Sequence, residues 1–561
     1  MEADNLMSNI IHRDSLDTDL DQHKSQSVKS VASLSFAFKK SEKRPDFGTN
    51  KNHMLYRRRQ ALHSLVFTIL NMIIASEVPR RPAGSKSIQR RRHKRKDATL
   101  FGTLFLFVII LVNLPLAASG QEEPAEQEEP VVDPLSIPAD DEPPGVNDPN
   151  LVVEEIVAGL KRPTAMSFLG NSSDDIIVTE KDNGTVRRIL GGVIQPEPLV
   201  DVAVSNDNDT NERGLLGMAL SKQNETTTYV FLYYTESGGG QDGDDADGIV
   251  PAGNRLYRYE LVQNDNGDPT SAELINPKLL LDLPARPGPR YNGGPLLVTQ
   301  NQSDTFVYLM IGDLDHRRSQ AENYEDGPPP DGTGGILVVD AEGNPLPSPG
   351  LIAPVNGEEE NGEENIGMLP YYFAYGIRNG FGMAFDPVTG YLWDTENGPE
   401  WFDEINLVVP GFNSGWAAVS GPASAPENEG ADIEEDLETF DERGMYRDPE
   451  FAWQNTVGVT GIKFLNSTAL GPQYENDIFV GDINHGRIYH FDLNQERTGL
   501  MLEGELQDKV ANNIGELESV IFGTGFRSIT DIEVGPDGNL YVLLYGPGKI
   551  FKISLADTED D

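Results

Sequence analysis

The chain of 561 residues contains no cysteine, so neither disulfides nor thiolate metal sites exist in it. A folded domain outside the cytosol must then rest on a large apolar core, which about 400 residues can supply. Cationic side chains are scarce over most of the length. Residues 119–561 carry 24 Lys/Arg against 80 Asp/Glu, a balance that excludes a nucleic-acid partner for this part. Long apolar runs are also rare. Only Thr99–Ala118 gives twenty uncharged residues, enough to cross a bilayer core as a helix. A second run, Ala61–Ala75, is interrupted by His63 and Asn71 and is short for a span; it suits a surface-lying or buried helix.

What is present divides the chain by charge. Residues 1–98 hold 20 Lys/Arg against 10 Asp/Glu, and Arg90–Lys96 (RRRHKRK) stands directly before the apolar run. The positive-inside rule places that cluster in the cytoplasm. All six N-x-S/T sequons, at Asn171, Asn183, Asn208, Asn224, Asn301 and Asn466, follow the run and none precedes it. These features predict a basic, largely disordered cytoplasmic tail (1–98) and a transmembrane signal-anchor (99–118). An acidic Pro-rich linker (119–150) then leads to an extracellular or luminal domain (151–561). The alternative is a secreted protein cleaved after Ala118-Ser119-Gly120, with an unusually long segment ahead of the apolar core.

From Leu151 onward, short apolar strands alternate with Gly, Asn, Asp and Pro turns and helical periodicity is scant, which argues for an all-β fold. A three-strand unit recurs six times. Its first strands begin near Ala165, Leu215, Pro295, Gly382, Ile462 and Ile532. Six such units predict a six-bladed β-propeller, a pair of β-sandwiches being the rival. The fourth unit is the most informative. Arg378 and Asn379 precede its first strand, Asp386–Gly390 makes a Pro/Gly turn, and Glu396–Glu400 and Asp403-Glu404 follow its second. Inserts at Gly238–Gly248, Asn356–Asn365 and Glu427–Glu442 read as solvated loops. The run from Asp242 (DGDDADG) is no EF-hand, because Ala246 takes a ligand position and no Glu stands twelfth.

Several motifs resemble the glucose/sorbosone dehydrogenase family across essentially the whole of 151–554. They are Gly214-Leu215-Leu216-Gly217, Asn292-Gly293-Gly294, Ile311-Gly312-Asp313 and Tyr375-Gly376-x-Arg378-Asn379, then Asp394-x-Glu396-Asn397-Gly398-Pro399 with Asp403-Glu404-Ile405-Asn406, Asn413-x-Gly415-Trp416, and Gly535-Pro536-Asp537-Gly538. The resemblance implies a six-bladed propeller that binds pyrroloquinoline quinone on Ca²⁺ at its mouth, where a His takes the hydroxyl proton of a sugar as hydride moves to the quinone. It places the backbone carbonyls of Gly398 and Pro399 on the cofactor calcium, Arg378 and Asn379 against the quinone, and Asn397 beside it. It also places Glu404, with the Ser414 carbonyl, on a second, structural calcium.

The resemblance breaks at the base, where the family's Asp-His becomes Arg290-Tyr291. An ordinary Tyr, with a pKa near 10, is a poor base at neutral pH. Family cations that meet the quinone carboxylates align with Asn484, Ser528 and Thr530. His316, His485 and His490 remain as substitutes for the base. Two functions follow: a calcium-binding propeller with a degenerate quinone site that binds an extracellular sugar or protein ligand, or a quinone-dependent dehydrogenase oxidising a sugar or aldose.

Overall fold

Short runs buried along nearly their whole length, such as Leu215–Lys222 with only its terminal lysine exposed, form strands whose two faces both meet other sheets. The computed structural model describes residues 143–207, 212–224, 226–263, 271–301, 304–315, 317–346 and 367–556. These residues all lie in one unit, Glu126–Asp561. The expected membrane span, the basic tail, most of the spacer, the insert 356–365 and His316 lie outside them. Among the described residues no helix is long and apolar enough to cross a membrane.

The main strands form six separate, mainly antiparallel sheets, and each sequence repeat supplies the inner three strands of one. The first sheet is Pro163–Phe168, Asp175–Glu180 and Thr185–Leu190. The second is Leu215–Lys222, Thr228–Glu236, Gly253–Gln263 and Ala272–Leu283. The third runs Leu296–Asn301, Asp304–Ile311, Gly335–Asp340 and Tyr372–Tyr375. Gly380–Phe385, Leu392–Glu396, Trp401–Val408 and Phe451–Asn455 make the fourth. Val459–Phe464, Ile478–Asp482, Ile488–Phe491 and Ile521–Thr524 make the fifth. The sixth joins both ends of the domain: Ile529–Val534, Leu540–Leu544 and Lys549–Leu555 are completed by Leu151–Ala158 pairing with the last of them.

The first strand of each sheet touches the first strand of the next, and the sixth returns to the first. That closed ring of radial sheets is a β-propeller. Six apolar clusters, one in each gap between neighbouring sheets, form its core. The glycine motifs are explained by this packing. A Cβ on Gly217 would lie 1.8 Å from the Gly294 carbonyl oxygen, so the second and third sheets can approach only without one.

Three departures from the sequence reading stand out. Gly145–Val146, inside the stretch read as spacer, pairs with Ile521–Thr524 as the outer strand of the fifth sheet. The insert Gly238–Gly248 is not simply solvated. Asp244 is buried and accepts from the Ser237 hydroxyl (2.5 Å) and the Gly239 amide (2.8 Å), and Asp245 pairs with Arg213 at 2.6 Å. The insert Glu427–Glu442 likewise buries Leu437 and Phe440, apolar anchors within an acidic run.

Candidate functional site

A cavity of about 410 Å³ is lined by the first strands of all six sheets, with Lys181, Glu212, Asn379, Asn397, Asn484 and Tyr545 among its polar walls. Thr530 and Asp531 also reach it, whereas no His lines it among the described residues. His485 is buried beside Asp482, and His490 sits on the fifth sheet against Asp477.

Arg378 lies beside the cavity, lining a smaller pocket that shares Asn397 with it. Its chain position, between Tyr375 and the strand starting at Gly380, brings the side chain to the turn after Glu396. Nη1 donates to the carbonyls of Asn397 (2.9 Å) and Gly398 (2.8 Å), and Nη2 donates to the Tyr291 hydroxyl (2.5 Å). The guanidinium lies 4.1 Å from the Tyr291 ring centre and 5.4 Å from that of Trp416. A cation therefore already rests on the Gly398 carbonyl. Tyr291, at φ 61°, is pinned from behind by its own amide, which donates to Glu212 Oε2 at 2.5 Å. Burial raises the Glu212 carboxyl, opposed by that amide and by Arg378, Arg290 and Lys181.

Asn379 accepts the Asn397 amide on its carbonyl (2.7 Å), and its buried side-chain oxygen has no hydrogen-bond partner among the described residues. Asn397 is fixed by its own amide group donating to the Val459 carbonyl at 2.8 Å. The turn is stapled by Asp403, which accepts from the amides of Gly398 (3.0 Å), Val457 (2.7 Å) and Gly458 (2.6 Å). Burial still holds that carboxyl up at about 6. Gly398 must be glycine, since a Cβ would fall 1.9 Å from the Trp401 oxygen; Pro399 is exposed beside it.

Behind this turn lies an acidic pocket that the sequence pointed to only through Glu404 and Ser414. Antiparallel register sets Glu396 opposite Glu404 and Asp394 opposite Asn406, all four buried. Burial pushes Asp394 and Glu396 well above the usual carboxylate range, and Asp394 and Glu404 add repulsion to Glu396; Glu404 is held up at about 7. Glu404 accepts the Gly421 amide (2.5 Å), and the Asn406 amide group reaches Glu396 (3.2 Å) and Glu404 (3.3 Å). The Ser414 hydroxyl faces both glutamates. Neither oxygen of Asp394 makes a hydrogen bond of good geometry among the described residues, the Asn406 amide facing it more loosely, and Oδ1 of Asn406 has none. Buried carboxylate oxygens so weakly bonded are costly without a cation. The alternation Asp394-x-Glu396 facing Glu404-x-Asn406 across a hairpin was the signal available in the sequence.

Residues 160–552, nearly all of the propeller, match the model of the family described as Glucose / Sorbosone dehydrogenase. The chain belongs to that family. Among curated relatives of this dehydrogenase-family chain, an uncharacterized Synechocystis protein is 25% identical over 413 residues, covering 71% of this chain and 84% of its own. The aldose sugar dehydrogenase YliI of Escherichia coli is 26% identical over 242 residues, covering 40% and 58%. The quinoprotein glucose dehydrogenase B of Acinetobacter calcoaceticus is 26% identical over 280 residues, covering 47% and 52%. The chain thus spans little more than half the length of the two relatives that carry an activity in their names. A solved Thermus thermophilus structure, titled a putative oxidoreductase (glucose dehydrogenase), is similar at TM-score 0.50 and 25% identity, over 72% of this chain and 99% of that one.

The residues fit the family's two groups unequally. The acidic pocket suits Ca²⁺, a hard cation that takes carboxylate and carbonyl oxygens, and the weakly bonded oxygens of Asp394 give it reason to bind. The cavity does not suit a tricarboxylate quinone. Asn484 and Thr530 are neutral, and the Thr530 hydroxyl is turned to the Pro163 carbonyl at 3.1 Å. Lys181 is engaged by Asp182 (2.7 Å) and the Arg213 carbonyl (2.9 Å), and both Nη groups of Arg378 are taken, leaving only its buried Nε without a partner among the described residues. Glu212 and Asp531 line the wall as carboxyls that burial raises, Asp531 to about 7, and neither offers the quinone a cation. Where either carboxyl ionises, it repels the quinone's own carboxylates.

Proposed function

We propose that this chain is a calcium-stabilised, ligand-binding member of the glucose/sorbosone dehydrogenase family whose channel does not use pyrroloquinoline quinone. The reading is carried by the Arg378 guanidinium, which sits on the Gly398 carbonyl and the Tyr291 hydroxyl where the resemblance put a cofactor calcium and a base. The ligand is an extracellular sugar or protein segment. Neutral amides at Asn379, Asn397 and Asn484 suit an uncharged, hydroxylated group better than a polyanion. The rival, a quinone-dependent aldose dehydrogenase, draws its support from the names of the Escherichia coli and Acinetobacter relatives.

The test is dye reduction by the purified protein with Ca²⁺ and added quinone over a panel of aldoses. No turnover above the quinone-only blank is expected; quinone-dependent, saturable turnover would establish the dehydrogenase instead. The proposal includes the topology: Thr99–Ala118 anchors the protein and the propeller lies outside the cytoplasm. Exposure of Asn171, Asn224 and Asn466 supports glycan attachment. A mobility shift on glycosidase treatment, abolished by substituting those three asparagines together with Asn183, Asn208 and Asn301, is the expected outcome. An unshifted protein from a glycosylating host would count against it.

A further inference from the structure

The fifth sheet carries a group of side chains that the channel and the acidic pocket do not use. Ile478 pairs with Phe491 and Phe479 with His490 across two antiparallel strands. Extending that register by one residue sets Asp477 opposite Asp492 and, because side chains alternate, puts both on the face that carries His490. Two carboxylates directly opposed on a sheet repel each other unless a proton or a cation lies between them. His490 Nε2 lies 3.0 Å from Asp477 Oδ2 and 3.7 Å from Asp492 Oδ1. The ligand atoms of all three residues lie within 4.8 Å of one another. Ligand atoms about 2.0–2.1 Å from a tetrahedral zinc are about 3.3 Å apart, so the two nitrogen–oxygen separations bracket the spacing such an ion needs.

The imidazole is also held in place. Tyr474 meets it edge-on at 5.2 Å, Phe479 lies against it at 5.0 Å, and Phe522 stands at 6.3 Å. Packing of this kind fixes the ring so that Nε2 stays aimed at the carboxylates. The Asp492 side chain is 64% exposed, which leaves a route in from solvent, whereas Asp477 is 12% exposed and His490 21%.

We propose that Asp477, His490 and Asp492 form a site for a zinc-class divalent cation, separate from the calcium pocket at Glu404. One imidazole nitrogen with two carboxylate oxygens is a borderline donor set that suits zinc. Calcium, which seeks six or more oxygens, is poorly served by it. The site has a structural consequence. Tyr474, which packs on the imidazole, donates its hydroxyl to Asp148 Oδ2 at 2.9 Å, and the Phe522 carbonyl accepts the Asn147 amide at 2.8 Å. The residues that clamp His490 therefore also clamp the segment around Gly145–Val146 as it joins the fifth sheet. Zinc at His490 tightens that attachment.

The test is calorimetric titration of metal-free, full-length protein with zinc chloride in millimolar calcium, which keeps the Glu404 pocket filled. Other histidines of the chain also attract zinc, so the reading is the difference between wild type and variant. Wild type should bind one more equivalent than His490→Gln, and Asp492→Asn should weaken that equivalent at least about tenfold. Asp492→Asn leaves the His490–Asp477 pair intact and alters an exposed side chain, so it decides the matter even if His490→Gln fails to fold. Zinc should also slow amide exchange at residues 145–148 in wild type alone. Equal zinc binding by wild type and Asp492→Asn would overturn the proposal and leave an ordinary His–Asp ion pair.

Discussion

Arg378 links the chemistry of the mouth to its stability. Its guanidinium satisfies two carbonyls that have no other donor shown to them, and it stacks on Tyr291. Hydrogen bonds to a charged group contribute about 1.5–3 kcal/mol each, and strongly coupled ones do not add. Arg378→Ala should therefore lower unfolding stability by roughly 3 kcal/mol, against about 1 kcal/mol for Tyr291→Phe, which keeps the ring and loses one acceptor. Chemical denaturation measures both; equal, negligible losses would show that the guanidinium is not held as described. Glu404 makes the second case. Calcium at about 100 times its Kd adds about 2.7 kcal/mol to a protein that binds it only when folded. Glu404→Ala should remove that increment, and a wild-type melting curve indifferent to chelator would refute the calcium pocket. The sequence pointed to Arg378, Asn397, Gly398 and Glu404 through their motif. It did not reveal that Arg378 turns onto the Gly398 carbonyl, because that orientation depends on Tyr291, which is 87 residues away in the chain. Nor did it single out Lys181 and Glu212, which reach the cavity only through the closure of the ring.

Between strands, buried carboxylates tie one element to the next. Asp482, at the end of Ile478–Asp482, accepts from the amides of His485 (2.6 Å) and Gly486 (2.8 Å) and from the Tyr489 hydroxyl (2.9 Å). Burial nevertheless raises it to about 7. A carboxyl whose folded pKa lies above its unfolded value, near 3.9, stabilises the fold fully at low pH and loses that contribution as pH rises toward 7. Asp482→Asn keeps an acceptor for both amides and offers a donor to Tyr489. The variant should lose a few degrees less than wild type in melting temperature between pH 4.5 and 7.5, and parallel curves would contradict this account. Strand positions were legible because apolar runs and Gly/Pro turns mark them directly. The acidic inserts were misread because a few buried side chains, Asp244, Leu437 and Phe440, anchor stretches whose average composition is that of a solvated loop.

At the level of the molecule, both ends of the domain share the sixth sheet, so the ring closes by pairing Leu151–Ala158 with Lys549–Leu555. Closure brings six first strands to one cavity, and the family's activity depends on what those strands present there. This chain keeps the ring, its glycine contacts and an oxygen-rich pocket. Lys181 is the one cation among the described residues lining its channel, and amides and hydroxyls stand at Asn484, Ser528 and Thr530, where the resemblance expects cations. The most direct test of that claim is equilibrium titration of the full-length protein with pyrroloquinoline quinone in saturating calcium, followed by quinone absorbance. Wild type should show no saturable binding up to about 0.1 mM, that is, a binding free energy weaker than about −5.5 kcal/mol. A saturable one-to-one complex at micromolar or tighter Kd would contradict the account and return the protein to the quinone enzymes.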